Sequence, residues 1–234
     1  MVKVGITGGM GAGKSYICSL FEEEFNIPVF YSDDQTKRIL DCDLDLKKEI
    51  KTLLGSAAYL EDDSLDRKYV SEKIFKDSKL RTNLQQIVYP YLWKEYDDWC
   101  DDHKSSPYTL FESAILVETG LYNEFDKIIV VSANMKIRIE RLKMYRNISE
   151  KDAISRINTQ TSEDARCKHA DFIIKNDLHL NTTSLDWKER CEQELSEGKT
   201  VEEIDEHRRL NLRKRIQHID HKIKYISYGG NNKE

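Results

Sequence analysis

The chain has little of what stops or staples a fold. Its 234 residues include three prolines, and its five cysteines (Cys18, Cys42, Cys100, Cys167 and Cys191) are an odd number with no C-x-x-C pair. Thiols scattered in this way exclude a disulfide framework and a zinc ribbon, and reduced, partly buried cysteines are expected. No run approaches the roughly 18 apolar residues of a membrane span, and Met1-Val2-Lys3 leads into a strand pattern instead of a signal peptide. A cytoplasmic protein with no membrane partner is expected. Net charge is -5 and the pI is near 5.8, so no basic excess argues for nucleic-acid binding. Internal repeats, a low-complexity linker and a guanine-specifying N-K-x-D stretch are also absent.

What is present is a 39% hydrophobic, 34% charged chain, enough for one globular unit or a core with a small appended one. Short β-branched or apolar runs at 2–7, 27–32, 108–112, 127–132 and 171–176 read as strands. After the first, Ile17, Leu20, Phe21 and Phe25 form one helical stripe. Residues 33–104 carry a helical pattern throughout, with one helix over 66–75 and a longer one over 80–99 interrupted near Pro90. The aromatics Tyr89, Tyr91, Trp93, Tyr96 and Trp99 on that helix read as core packing. Short strands separated by helices predict an α/β fold with a parallel sheet covered on both faces. The expected division is a core of 1–40 and 105–180, a helical insertion of 41–104, and a helical extension of 181–234. In that extension Leu212, Ile216, Ile219, Ile223 and Ile226 share a face, His218 and His221 read as polar surface rather than metal ligands, and the last residues form a frayed tail.

The strongest signal is Gly8 to Ser15, which matches G-x-x-x-x-G-K-[ST] in full between a strand and a helix. Such a loop wraps phosphate oxygens with successive backbone N–H groups, and Gly8, Gly9, Gly11 and Gly13 remove the Cβ atoms that would obstruct the approach. The helix start adds its positive dipole end. Gly9, Gly11, Ala12, Gly13, Lys14, Ser15 and Tyr16 are therefore the candidate nucleotide-binding residues, with ATP and Mg²⁺ as cofactors. Lys14 is expected to face solvent until it meets the outer phosphates, and the Ser15 hydroxyl to ligate the metal.

Asp33 and Asp34 follow the second strand, where open α/β sheets place ligands. Asp33 is the candidate base for an attacking hydroxyl, against the plainer reading of Ser32 or Asp33 as a helix N-cap. Arg138, Arg141, Arg146, Arg156 and Arg166 cluster between two strands, and a helical lid over about 135–166 could bring Arg141 and Arg146 onto a transferring phosphate. Length and these arginines favour a small-molecule kinase over a switch or motor nucleotidase. A nucleoside monophosphate kinase would want several arginines in the insertion, where only Arg67 and Arg81 occur. A non-catalytic nucleotide-binding module using Arg208, Arg209, Arg213, Lys214 and Arg215 is the other alternative, although the neighbouring acids suit a solvated helix.

The loop, "PVFYSDD-x-x-K-R", "EKIF-x-D" (72–77), "ESAILVETGLY" (112–122), "DKIIVVSA" (126–133) and "RINTQ…R…ADFIIKN" (156–176) together resemble the dephospho-coenzyme A kinase family, over Val2 to about Asp177. The resemblance implies a P-loop kinase fold and phosphorylation of the ribose 3′-hydroxyl of dephospho-coenzyme A by ATP. It implies Asp33 near that hydroxyl, the 66–104 helices as the acceptor-binding insertion, 141–166 as the lid, and Asn176 leading the loop that faces adenine. A monomer is expected. Three positions depart from the family pattern: Tyr31 replaces an aspartate, Tyr89-Pro90 replaces His-Pro, and Tyr145-Arg146 displaces a lid arginine by one residue.

Overall fold

The structure is a computed structural model and describes residues 1–177, 198 and 200–229. It divides into two compact units, Met1–Val29 with Ser105–Glu234, and Phe30–Lys104.

Strands β1 (Val2–Thr7), β2 (Val29–Tyr31), β3 (Tyr108–Glu112), β4 (Lys127–Ser132) and β5 (Phe172–Lys175) form one sheet in the order β2-β3-β1-β4-β5, and all of it but Phe30 and Tyr31 belongs to the first unit. All five expected strands are present, some trimmed at their ends. The central β1 pairs in parallel with β3, Ile6 opposite Glu112, and with β4, Thr7 opposite Val130; β4 pairs in parallel with β5, Ser132 opposite Lys175. Every residue of β3 is buried, and since successive side chains point to opposite faces, both faces of the sheet are covered there. This register brings the ends of β1, β3, β4 and β5 to one edge, the edge at which such sheets hold ligands.

Helix α1 (Lys14–Phe25) buries Ile17, Cys18, Leu20 and Phe21. Burial, reinforced by the nearby Glu112 carboxylate, pushes the Cys18 thiol far above its ordinary range, so it stays protonated. Cys18, Cys42, Cys100 and Cys167 are all free thiols.

After β4 come α6 (Met135–Arg146), α7 (Glu150–Asn158) and α8 (Glu163–Cys167), and the chain closes on α9 (Val201–Ser227). Thr200 and Glu203 form a reciprocal capping box at the start of α9. Ile204, Leu212, Ile216, Ile219 and Ile223 are buried along it, the Tyr108 hydroxyl donates to Asp220 at 2.9 Å, and Lys224 pairs with the other oxygen of Asp220 at 2.9 Å. This helix is thus part of the first unit's core, and Arg213 of the basic run is paired with Glu24 at 2.8 Å. The parts of the expected 181–234 extension that fall on 181–197, 199 and 230–234 lie outside the described residues. No group of three potential metal ligands occurs among the described residues, and none of their helices is long and apolar enough to cross a membrane.

The second unit holds α2 (Ser32–Cys42), α3 (Leu44–Leu54), α4 (Arg67–Lys76) and α5 (Ser78–Asp102). It begins at Phe30 rather than near 41. Phe30 packs its ring against Tyr96 and Trp99, at 5.1 and 5.5 Å between centroids, and α2 is tied inward by the Tyr59 hydroxyl on the Leu40 carbonyl and by Arg67 on Asp41. Two expectations need correction. The unit is not helical throughout, because Gly55, at φ 92°, ends α3, and Tyr59 and Leu65 form an antiparallel bridge. Pro90 does not interrupt the long helix either, since α5 runs unbroken through all 25 of its residues. Proline removes one i→i−4 bond, and packing of Val88, Leu92, Tyr96 and Cys100 on one face outweighs that loss. Of the aromatic set only Tyr96 is fully buried; its ring meets those of Trp93 and Trp99, while Tyr89, Tyr91, Trp93 and Trp99 are half-buried and the Tyr91 hydroxyl bonds Glu49 at 2.7 Å.

Candidate active site

Chain leaving β1 turns at once through residues 8–13 into α1. Gly11 and Gly13 sit at φ 79° and 89°, which disfavour any residue with a Cβ. The loop's own turn is closed by the Ala12 N–H donating to the Gly9 carbonyl at 3.0 Å. Helix α1 has no side-chain N-cap and no acid in its first turn. Among the described residues nothing accepts from the N–H groups of Gly11, Gly13, Lys14, Ser15 and Tyr16. Five adjacent donors at the positive end of a 12-residue helix form a nest for an anion.

The loop glycines turn out to be demanded by the protein's own packing as well. A Cβ at Gly8 would stand well inside 3.0 Å of the Val131 carbonyl oxygen, one at Gly9 would collide with the Arg138 guanidinium, and one at Gly11 would come 2.6 Å from the Arg138 carbonyl. At Gly13 it would strike the Asn176 amide. The glycines therefore let α6 and the end of β5 close on the loop, besides admitting a ligand.

Lys14 does not face solvent. Its side chain is 11% exposed, with Nζ donating to the Gly8 carbonyl at 3.1 Å and lying 3.7 Å from Glu112. The stem packs along the loop, and the ammonium reads the nearest carbonyl and carboxylate. Ser15 and Tyr16 are exposed in the first turn of α1.

Arg141 is buried and bound to the loop: Nη1 donates to the carbonyls of Gly11 (3.1 Å) and Ala12 (3.0 Å), and Nη2 to the Asn176 carbonyl (2.9 Å). Burial pulls its guanidinium below the ordinary value, with Asp177 opposing. Asn176 is buried as well, its N–H donating to the Ser132 carbonyl and its side-chain amide to the Ala12 carbonyl at 2.9 Å. Arg146, by contrast, is exposed at the end of α6.

The loop tip is gripped by the segment read as a lid. The Met10 N–H donates to Gln160 Oε1 at 2.8 Å, and the Met10 carbonyl accepts from Arg138 Nε at 2.8 Å. Met10 also packs on the small core of Leu142, Ala153 and Ile157. The sequence places Arg138 and Arg166 in the arginine cluster but points to no role for either, and it marks neither Gln160 nor the buried Arg166–Glu118 pair at 3.0 Å. Arg138 stands three residues before Arg141 on one helix face, the single signal that could have marked it.

In the second unit Asp33 and Asp34 both lie in the first turn of α2, behind an N-cap at Tyr31 whose side chain does not cap the helix. Neither Ser32 nor Asp33 is the cap, because the helix already begins at Ser32. Asp34 is engaged with Lys37 at 2.7 Å, and the exposed Asp33 carboxylate accepts no hydrogen bond among the described residues.

With this geometry in hand, comparison with known proteins is specific. The model of the family described as dephospho-CoA kinase matches residues 2–182. A dephospho-CoA kinase of Bacteroides fragilis is 31% identical over 176 residues, covering 75% of this chain and 85% of that one. One of Salinibacter ruber is 31% identical over 183 residues, covering 77% and 92%. Among solved structures, a Thermus thermophilus protein matches with a TM-score of 0.67 at 23% identity over 85% of this chain and 98% of its own. The dephospho-CoA kinase of Campylobacter jejuni matches at 0.54 and 21% identity, over 83% and 96%. These two structural likenesses speak for the fold.

Proposed function

Since the chain belongs to the dephospho-CoA kinase family, it is an ATP-dependent kinase of dephospho-CoA, and we propose that the loop, Lys14 and Asp33 carry the transfer to the acceptor's ribose 3′-hydroxyl. The observation that carries this reading is the nest of N–H groups at Gly11, Gly13, Lys14, Ser15 and Tyr16, with Lys14 beside it. These donors hold the phosphate chain, and Lys14 exchanges the Gly8 carbonyl for the outer phosphates, where its charge offsets what builds up as the phosphoryl group moves. The exposed Ser15 hydroxyl is a hard oxygen suited to Mg²⁺, which keeps most of its ligands as water and phosphate and would spread phosphate charge when bound.

Asp33 takes the proton of the attacking hydroxyl. Its carboxylate is uncommitted while Asp34 is occupied by Lys37, an arrangement that supports this division of roles. The unit 30–104 presents the acceptor. Arg141 and Asn176 brace the loop, and Arg146, exposed at the end of α6, meets the phosphates while Arg138 and Arg141 keep α6 on the loop.

The test is a coupled ADP-release assay run side by side with dephospho-CoA, CMP, dTMP and no acceptor. Turnover with dephospho-CoA alone is expected. Turnover confined to the monophosphates would reject the assignment.

A further inference from the structure

Arg138 lies outside the motif, and its surroundings are unusual for a cation. The side chain is 6% exposed. Nε holds the Met10 carbonyl at 2.8 Å, Nη1 lies 3.7 Å from Glu163 Oε2, and Nη2, against Gly9, has no acceptor among the described residues. Glu163 is the only carboxylate seen to pair with Arg138 among these contacts; it is 38% exposed and its other oxygen is occupied by the Ser132 hydroxyl. Arg166 adds a second buried cation nearby, itself paired with Glu118. Burial and the Arg166 charge pull the Arg138 guanidinium below its ordinary value, and Glu163 pulls the other way. A guanidinium does not lose its proton in a protein, so the result is a fixed positive charge behind the tip of the loop, offset only in part by one loose ion pair.

We propose that Arg138 is a positioning residue that sets the loop's affinity for phosphate from behind, by holding the Met10 carbonyl and by adding a positive charge that Glu163 only partly cancels. It need not touch the ligand. The guanidinium keeps the carbonyl of Met10 turned outward, and its field reaches through the two glycines, where no side chain intervenes. The helix pair that carries Glu163 thereby gains a means of tuning nucleotide binding. The inference rests on the reading of residues 8–16 as the ATP site.

The sign of the effect distinguishes this role from packing. Dissociation constants for ADP and for adenosine are measured by calorimetry at low salt on the full chain, with no acceptor present. Arg138→Gln, which keeps an amide donor but no charge, should weaken ADP about tenfold and leave adenosine unchanged. Arg138→Lys should recover most of that loss. Glu163→Gln should tighten ADP about two- to threefold, less because the carboxylate is partly exposed and screened. Equal losses for ADP and adenosine, or weaker ADP binding in Glu163→Gln, would overturn the proposal. Failure of the unaltered protein to bind ADP would overturn both this and the ATP site. ADP binding without turnover on dephospho-CoA would reject the acceptor alone and leave the role of Arg138 standing.

Discussion

Gly8→Ala separates two reasons for a glycine at the start of a phosphate loop. If glycine is there only so that phosphate can approach, the ligand-free protein should not notice a methyl group. The structure says otherwise. Gly8 follows Thr7, which lies opposite Val130 in the β1–β4 ladder, and a Cβ at position 8 would stand well under 3.0 Å from the Val131 carbonyl oxygen. Ordinary contact between such atoms begins near 3.4 Å, so the overlap is the better part of an ångström, and it is against backbone, which cannot rotate aside. Overpacking of this kind costs about 1–3 kcal/mol, with a rigid partner placing it at the upper end. For a chain of this size each kcal/mol moves the melting temperature by roughly 2–4 °C, so a fall of about 5–10 °C is expected without nucleotide. Gly120→Ala is the control. Gly120 has φ 73° and nothing within 4 Å of a built Cβ, so only backbone strain of about 1 kcal/mol applies, and a drop of roughly 2–4 °C should follow. Differential scanning calorimetry on both variants decides the matter. An unchanged melting temperature for Gly8→Ala, with only ADP affinity reduced, would refute the packing argument.

Lys14→Ala should lower turnover by on the order of a hundredfold or more with the fold retained on circular dichroism, and near-normal turnover would remove the lysine from the phosphate site. Asp33→Asn should reduce kcat by about 10²–10⁴ with little change in melting temperature, while Asp34→Asn, which loses only an exposed pair with Lys37, should stay within a few fold; the reverse pattern in steady-state kinetics would move the base by one residue. Alkali should unfold the protein from about pH 10 upward. Burial, with Asp41 and Asp63, pushes Tyr59 from its ordinary 10.0 to about 12, and burial beside Asp220 pushes Tyr108 higher still. Both phenols are protonated in either state below the unfolded value, so the stability they supply is intact there and is lost as pH rises through the folded value. Phenolate absorbance at 295 nm should show these two tyrosines titrating only with unfolding, and titration of both near pH 10 in folded protein would contradict the burial.

The phosphate loop was legible in the sequence because its chemistry is local. Left-handed φ at Gly11 and Gly13, a lysine and a serine opening a helix, and a strand before it all lie within a dozen residues, and no distant contact is needed to recognise them. The strands were legible for a similar reason, since runs such as 127–132 are apolar at consecutive positions, as burial on both sheet faces requires. Sequence alone offers both Asp33 and Asp34 after the second strand, and only the structure shows both in the first turn of α2 with Asp34 paired to Lys37. Only tertiary packing could decide the rest. Pro90 reads as a break until one face of α5 is seen to be buried, because propensity is worth a few kcal/mol and a packed face more. The apolar face of Leu212, Ile216, Ile219 and Ile223 is legible in the sequence, but not what it packs against, until the Tyr108–Asp220 bond joins residues 112 apart. Arg138 and Gln160 meet the loop across 128 and 150 residues, a distance over which no periodicity carries information, so their hold on Met10 belongs to the fold and not to the motif.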